Sequence, residues 1–284
     1  MNSNATASNS GLERPPAISV IVSTYNMAEY VGDAIISVVE GSFDDFELIV
    51  IDDGSTDDTH SVIEQFTRSE APQYDSRVRY FYKENAGKPA AINQVLSKAE
   101  GEYIAILDAD DELPPDGLAE RYRPVQRSEH KPDLVISGFE VFRGDKKLGE
   151  RGAPDTTDLG ALRKAFFFNY RTPFSLNSCL FKYSMVHEIG GFDHDLRRAE
   201  DQDYSLRLLA AATEISVVDA TVYRYRKYRD TFTERIRYRL KNLRYRPRMI
   251  SKHTAGVERL AAVGVGVMLD LGKIIYELAT EYHN

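Results

Sequence analysis

At 284 residues the chain is long enough for one large core or a core with an appendage, because single cores stop growing near ~250–300 residues. A formal net charge of −8 excludes a general nucleic-acid binder, whose affinity needs a basic footprint. The lone cysteine, Cys179, has no internal disulfide partner, reads as a small buried apolar residue, and fits a reducing, cytoplasmic compartment.

Residues 1–16 are polar and end in Pro15-Pro16, without the basic and apolar regions of a secretory leader, so a disordered lead-in is expected there. Strand-like runs follow at Ile18 to Ser23, Phe46 to Ile51, Val78 to Tyr82, Tyr103 to Leu107 and Leu134 to Phe142. Between them Glu29 to Val39, Thr59 to Phe66, Pro89 to Ala99 and Gly117 to Arg127 carry apolar residues at helical spacing. This alternation predicts an α/β fold, a mostly parallel sheet flanked by helices. Gly144 to Asp158 reads as a charged crossing loop. A short helix near Leu159 to Phe168, a strand near Leu176 to Lys182, the turn Gly190-Gly191-Phe192-Asp193 and a helix from Glu200 come next. From Thr231 onward the pattern is helical, with a break expected at Pro247. The division expected is a globular domain over 17–228 and a helical extension over 229–284. No stretch approaches the ~20 apolar residues of a membrane span. A stripe through Ala261, Val265, Met268, Leu271, Ile275 and Leu278 suits core packing or a homodimer contact better than membrane association.

Two acidic clusters each close an apolar run: FELIVIDDG from Phe46 to Gly54, and EYIAILDADD from Glu102 to Asp111. Carboxylates so placed emerge at the strand ends where open α/β sheets bind ligands. Crowded carboxylates repel one another, which points to a divalent cation and a nucleotide phosphate. The first strand ends in Ser23-Thr24-Tyr25-Asn26, without the glycines of a dinucleotide turn. Its small hydroxyls and aromatic ring suit a base and ribose instead. In Asp52-Asp53-Gly54-Ser55-Thr56-Asp57 one carboxylate can accept the imide N–H of a uracil while the rest cap the next helix, and capping alone is the plainer alternative. Lys88, following Asn85 and Gly87 and preceding Asn93, is placed to neutralise a diphosphate, unless it is a solvated surface lysine. Asp108-Ala109-Asp110 can direct two carboxylates to one volume, where a hard cation keeps waters and takes substrate phosphate oxygens. In Ala199-Glu200-Asp201-Gln202-Asp203 carboxylates open a helix, as N-capping groups or as a general base toward an acceptor hydroxyl.

These residues, in this order, resemble the family 2 glycosyltransferases of the GT-A fold, from about Ala17 to Tyr223. The resemblance is carried by ISVIVSTYN, FELIVIDDGSTD, NAGKPAAIN, GEYIAILDADD, GGFD and AEDQDYSLRL in register. It implies that Ser23, Tyr25 and Asp53 contact the base and ribose, that Lys88 lies near the donor, and that Asp108 meets the ribose or metal. It implies Asp110 as a ligand of Mn²⁺ or Mg²⁺ on the diphosphate, and Asp201 as catalytic base with Glu200 beside it. Processive members carry a Q-x-x-R-W motif and membrane helices, whereas this chain has no tryptophan. A non-processive, metal-dependent inverting enzyme is therefore expected, moving a sugar from a nucleotide sugar, most simply a UDP sugar, to a glycan or lipid-linked acceptor. The rivals are a sugar nucleotidyltransferase, which needs a Gly-rich loop after the first strand, and a catalytically silent sugar-binding protein on the same scaffold. The basic segment from Arg224 to Lys252, with Arg235, Arg239 and Asn242 on one helical face, is either a solvated face or a peripheral contact with the inner membrane surface.

Overall fold

The computed structural model describes residues 14–71, 73–168, 172–196, 199–228 and 232–282, so most of the expected lead-in lies outside the described residues. Strands β1 (Ile18–Thr24), β2 (Phe46–Asp52), β3 (Val78–Tyr82) and β4 (Tyr103–Asp108) lie parallel in the order β3-β2-β1-β4. Helices α1 (Val31–Val39), α2 (Thr59–Thr67) and α3 (Lys88–Leu96) connect them. Beyond α4 (Gly117–Arg127), β5 (Leu134–Arg143) is joined to β4 through the antiparallel β7 (Cys179–Lys182). β6 (Lys146–Arg151) folds back on β5 as a hairpin, and β8 (Ile215–Arg226) runs parallel to β5. Helices α5 (Leu159–Phe168), α6 (Tyr183–Ile189) and α7 (Glu200–Ala211) separate these strands, and α8 (Phe232–His253) is followed by α9 (Gly256–Tyr282), which packs against it.

Alternation along the central strands builds the core on both faces of the sheet. Ile21, Ile49, Ile51, Ile104 and Ile106 face one cluster with α3, α5, α7 and Met249 and Ile250 of α8. Val20, Val22, Leu48, Val50 and Leu107 face the other, with α1, α2 and α4. The shared register sets Thr24 beside Asp52 and Ser23 beside Asp108, so the polar ends of three strands meet along one edge.

Four elements differ from the sequence expectation, the first being α6, a short helix where none was expected between the strand ending at Lys182 and the turn at Gly190. The expected loop from Gly144 contains β6, whose side chains are almost all exposed, so pairing to β5 rather than burial defines it. β8 was not expected as a strand: its Arg224 pairs across the sheet with Glu140, and its register slips at Ser137/Gly138 and Gly138/Glu140, which blurs the alternation. Pro247 does not break α8, which runs on to His253. The hydrogen bond lost at the proline is offset by Met249 and Ile250, both fully buried one turn later.

Candidate functional site

The order β3-β2-β1-β4 reverses direction at β1, so the carboxyl ends of β1 and β4 flank a crevice of the kind in which open α/β sheets take ligands. A cavity of about 280 Å³ lies there, lined by Ser23, Thr24, Tyr25, Met27, Asp53, Lys88, Asp108, Ala109 and Asp110. The Tyr25 ring is 46% exposed and free to stack on a base.

The loops around this cavity are stitched by backbone bonds. Asp52, fully buried, accepts from the Ser55 amide at 2.8 Å and from the Tyr80 hydroxyl at 3.2 Å. Asp53 Oδ1 accepts from Lys83 Nζ at 2.7 Å and the Ala86 amide at 3.0 Å, and its Oδ2 from the Gly87 amide at 2.6 Å. A carboxylate has about four acceptor positions, so one on Oδ2 is left for a ligand N–H. Gly54 and Gly87 have φ of +80° and +93°, and a Cβ on Gly54 would lie 2.7 Å from the Asn85 nitrogen. Ser55, Asp57 and Thr59 accept from the backbone amides of Asn26, Ala28 and Met27, so besides opening α2 they fasten the Tyr25 loop.

Asp108, Asp110 and Asp111 each bring a carboxylate oxygen within 4.8 Å of the others. Burial and then the charge of Asp108 raise the Asp110 carboxyl above its ordinary range. Burial with both neighbours pushes Asp111 up to about 8. Asp111 is inward-facing, receiving the Tyr223 hydroxyl and the Arg226 amide at 2.6 Å. Asp108 and Asp110 are the half-buried pair that faces the cavity. Two hard carboxylate donors facing one cavity, with Asp111 packed behind them, fit Mg²⁺ or Mn²⁺.

Lys88 Nζ sits 2.7 Å from Asp108 Oδ1 and 3.4 Å from Asp201 Oδ2. Burial opposes its charge, but the two carboxylates outweigh that and hold its pKa above the usual lysine value. Asp201 belongs to the first turn of α7, behind Ala199 at φ 65°, a left-handed conformation that costs an alanine strain. It lines a second cavity of about 360 Å³, with Phe139, Arg151, Phe174, Gln202, Ser205 and Tyr225 among its walls. Asp201 Oδ1 is shielded from solvent and has no hydrogen-bond partner among the described residues. Burial raises its pKa despite Lys88. Burial and then Asp201 bring Glu200 up to about 7, though Glu200 lines neither cavity. Asp203 is turned away: fully buried, it is tied to Arg207 at 2.9 Å, Lys252 at 3.0 Å and His253 at 2.9 Å.

Sequence reasoning missed a supporting layer. Asn177 Nδ2 donates to Asp108 Oδ2 at 3.0 Å and to the Tyr223 hydroxyl at 2.8 Å. Tyr228 donates to Asp110 Oδ2 at 3.1 Å, and Arg226 Nε to the Asp110 carbonyl at 2.8 Å. Beneath them the fully buried Arg121 gives its guanidinium to the carbonyls of Gly117, Asn177, Cys179 and Val222. Burial lowers its pKa to about 10. The alternation Tyr223-Arg224-Tyr225-Arg226 was the one signal that could have marked this strand.

Residues 19–193 match the sequence model of "Glycosyl transferase family 2". The putatively named glycosyltransferase EpsH of Bacillus subtilis is 28% identical over 232 residues, covering 79% of this chain and 65% of its own. The chain spans from 28% to 65% of the length of the first curated relatives that it matches. S. aureus TarS 1-349 in complex with UDP-GlcNAc superposes with a TM-score of 0.61 at 18% identity, covering 90% of this chain and 81% of that one. The mannosyltransferase PcManGT of Pyrobaculum calidifontis, in complex with GDP-Man and Mn²⁺, gives 0.60 at 18% identity, covering 95% and 76%. At these identities the superpositions establish the fold, GT-A.

Proposed function

Since the chain belongs to glycosyltransferase family 2, we propose that it transfers one sugar at a time from a nucleotide sugar to an acceptor hydroxyl, with inversion and with a divalent cation. The observation that carries this reading is the position of Lys88, which lines the first cavity with Asp108 and Asp110 and also reaches Asp201, a wall of the second. In the first, Ser23, Tyr25 and Asp53 hold the base and ribose, with uridine favoured because the remaining acceptor on Asp53 needs an N–H. Asp108 and Asp110 would hold Mn²⁺ or Mg²⁺, which supplies charge neutralisation to the departing diphosphate. In the second, a glycan or lipid-linked acceptor presents its hydroxyl to Asp201. Asp201 takes the proton as the oxygen attacks the anomeric carbon from the face opposite the diphosphate, and the bond to the diphosphate breaks in the same displacement. Lys88 stays within reach of both sides, and Glu200 keeps the local field negative beside the base.

In this reading residues 17–228 form the catalytic unit and 229–284 an extension docked on it. A thermal-shift panel tests the donor assignment, because a ligand of the native state raises stability by about 2.7 kcal/mol at a hundredfold excess over Kd. UDP with Mn²⁺ is expected to raise the melting temperature by roughly 5–10 °C. CDP, and either nucleotide without metal, should raise it less. Equal shifts for UDP and CDP would remove the uridine assignment, and a GDP shift above both would replace it with guanosine.

Much of the basic segment from Arg224 is spent internally. Arg224 and Arg226 pair with Glu112, and Lys252 with Asp193 and Asp203. The side chains of Arg235 and Arg239 lie outside the described residues. Arg237, Lys241, Arg244 and Arg248 form an exposed row on α8. We assign to that row a peripheral contact with an anionic membrane surface, each residue contributing about 1 kcal/mol. Co-sedimentation should favour anionic over neutral vesicles at low salt and lose that preference at high salt. Equal sedimentation with both at low salt would leave only a solvated face.

A further inference from the structure

α9 carries an apolar seam on the side turned away from α8. Its inner side meets α8 at Gly266, where a Cβ would stand 2.9 Å from Ile250, and at Asp270, 3.6 Å from Arg246. On the outer side Ala261, Gly264, Met268, Leu271, Ile275 and Leu278 recur at alternating spacings of three and four, the heptad pattern of a coiled-coil seam. All are exposed, with Met268 at 69%, Ile275 at 65% and Leu278 at 50%. A seam of this kind in water marks an interaction surface.

We infer that this seam pairs with the same seam of a second copy, antiparallel, about a two-fold axis between Met268 and Leu271. The sequence of sizes selects this occupant and orientation. In an antiparallel pair, Met268 of one copy meets Leu271 of the other, Gly264 meets Ile275, and Ala261 meets Leu278. Small thus opposes large at each outer layer, and the two-fold repeats each contact. In a parallel pair Gly264 would face Gly264 and leave a void. Open space surrounds the position of a Gly264 Cβ, so nothing among the described residues fills that layer. The seam holds no lysine or arginine, and the basic row of α8 points away from α9, so no flat lipid surface reaches both. Seventeen residue steps give a stripe ~26 Å long. Two such stripes bury on the order of 1,000 Å² in total, the threshold for a specific interface.

Sedimentation velocity of the full chain over a concentration series reads the assembly. The parent is expected as a dimer, and Met268→Lys with Ile275→Lys should raise its dissociation constant about 30-fold or more while leaving the circular-dichroism spectrum of a folded protein, since both side chains are exposed in the monomer. Cys179 is buried, so introduced thiols can be read alone. On oxidation, a mixture of Gly264→Cys and Ile275→Cys proteins should cross-link to each other, and neither with itself. A parent that stays monomeric up to about 100 µM, well above the Kd of a specific pair, overturns the inference. So do a dimer that survives the double substitution, self-linking of Ile275→Cys, and vesicle binding by the parent that the double substitution abolishes.

Discussion

Asp201→Asn is expected to bind donor as the parent does and to turn over roughly 10²–10⁴-fold more slowly, the contribution attributed to general base catalysis. The amide keeps the size of the side chain and can still lie beside Lys88, so the donor cavity is unchanged. What it loses is the basic carboxylate that lines the second cavity. Burial raises the carboxyl of Asp201, which strengthens it as a base, while the charge of Lys88 opposes that rise. Separate measurement of donor affinity by titration and of turnover with acceptor distinguishes this from general damage. Undiminished turnover would move the role to Glu200. Asp203 is no substitute, being held by Arg207, Lys252 and His253.

Asp110→Ala is expected to remove the metal-dependent part of donor binding, weakening Mn²⁺ affinity in the presence of UDP by at least about 100-fold, since even partners of metal ligands cost 10–100-fold. The fold should survive. Asp110 is a carboxylate whose pKa in the folded chain lies above its ordinary value, from burial and then from Asp108. Such a group favours folding only when protonated, and its ionised form opposes folding as pH rises through that raised value. Its removal at neutral pH therefore relieves repulsion. Calorimetric titration of UDP with and without Mn²⁺ decides the matter, and a substituted protein that binds UDP and Mn²⁺ as tightly as the parent would show that Asp110 is not a ligand.

The crevice at the ends of β1, β2 and β4 was readable because these strands are apolar runs buried on both faces, and each ends in a polar motif whose position the parallel register then fixes. Ser23 beside Asp108 and Thr24 beside Asp52 follow directly from that register. The cavity at Asp201 was less readable. β6 is nearly all exposed and β8 mixes arginine and tyrosine with register slips, so neither leaves a clean period. Asn177, Tyr223 and Tyr228 sit in no motif and reach Asp108, Asp111 and Asp110 only through tertiary packing. Local sequence also cannot show that Asp53 spends three hydrogen bonds on its own loop. Nor can it show that Pro247 is carried through a helix by the burial that follows it.

Arg121 bears on how the molecule comes apart as well as on how it is built. Its carbonyl partners in Asn177, Cys179 and Val222 lie 56, 58 and 101 positions along the chain. A dehydrated cation with part of its acceptors missing is far costlier than one in water, so a state with α4 packed and β8 detached has no low-energy form. The helix that covers the parallel strands and the strand that walls the cavity at Asp201 are thereby held to one cooperative unit. Partial opening beside Asp201 is penalised by a charge on the far side of the sheet, and the two cavities lose their shape together or not at all.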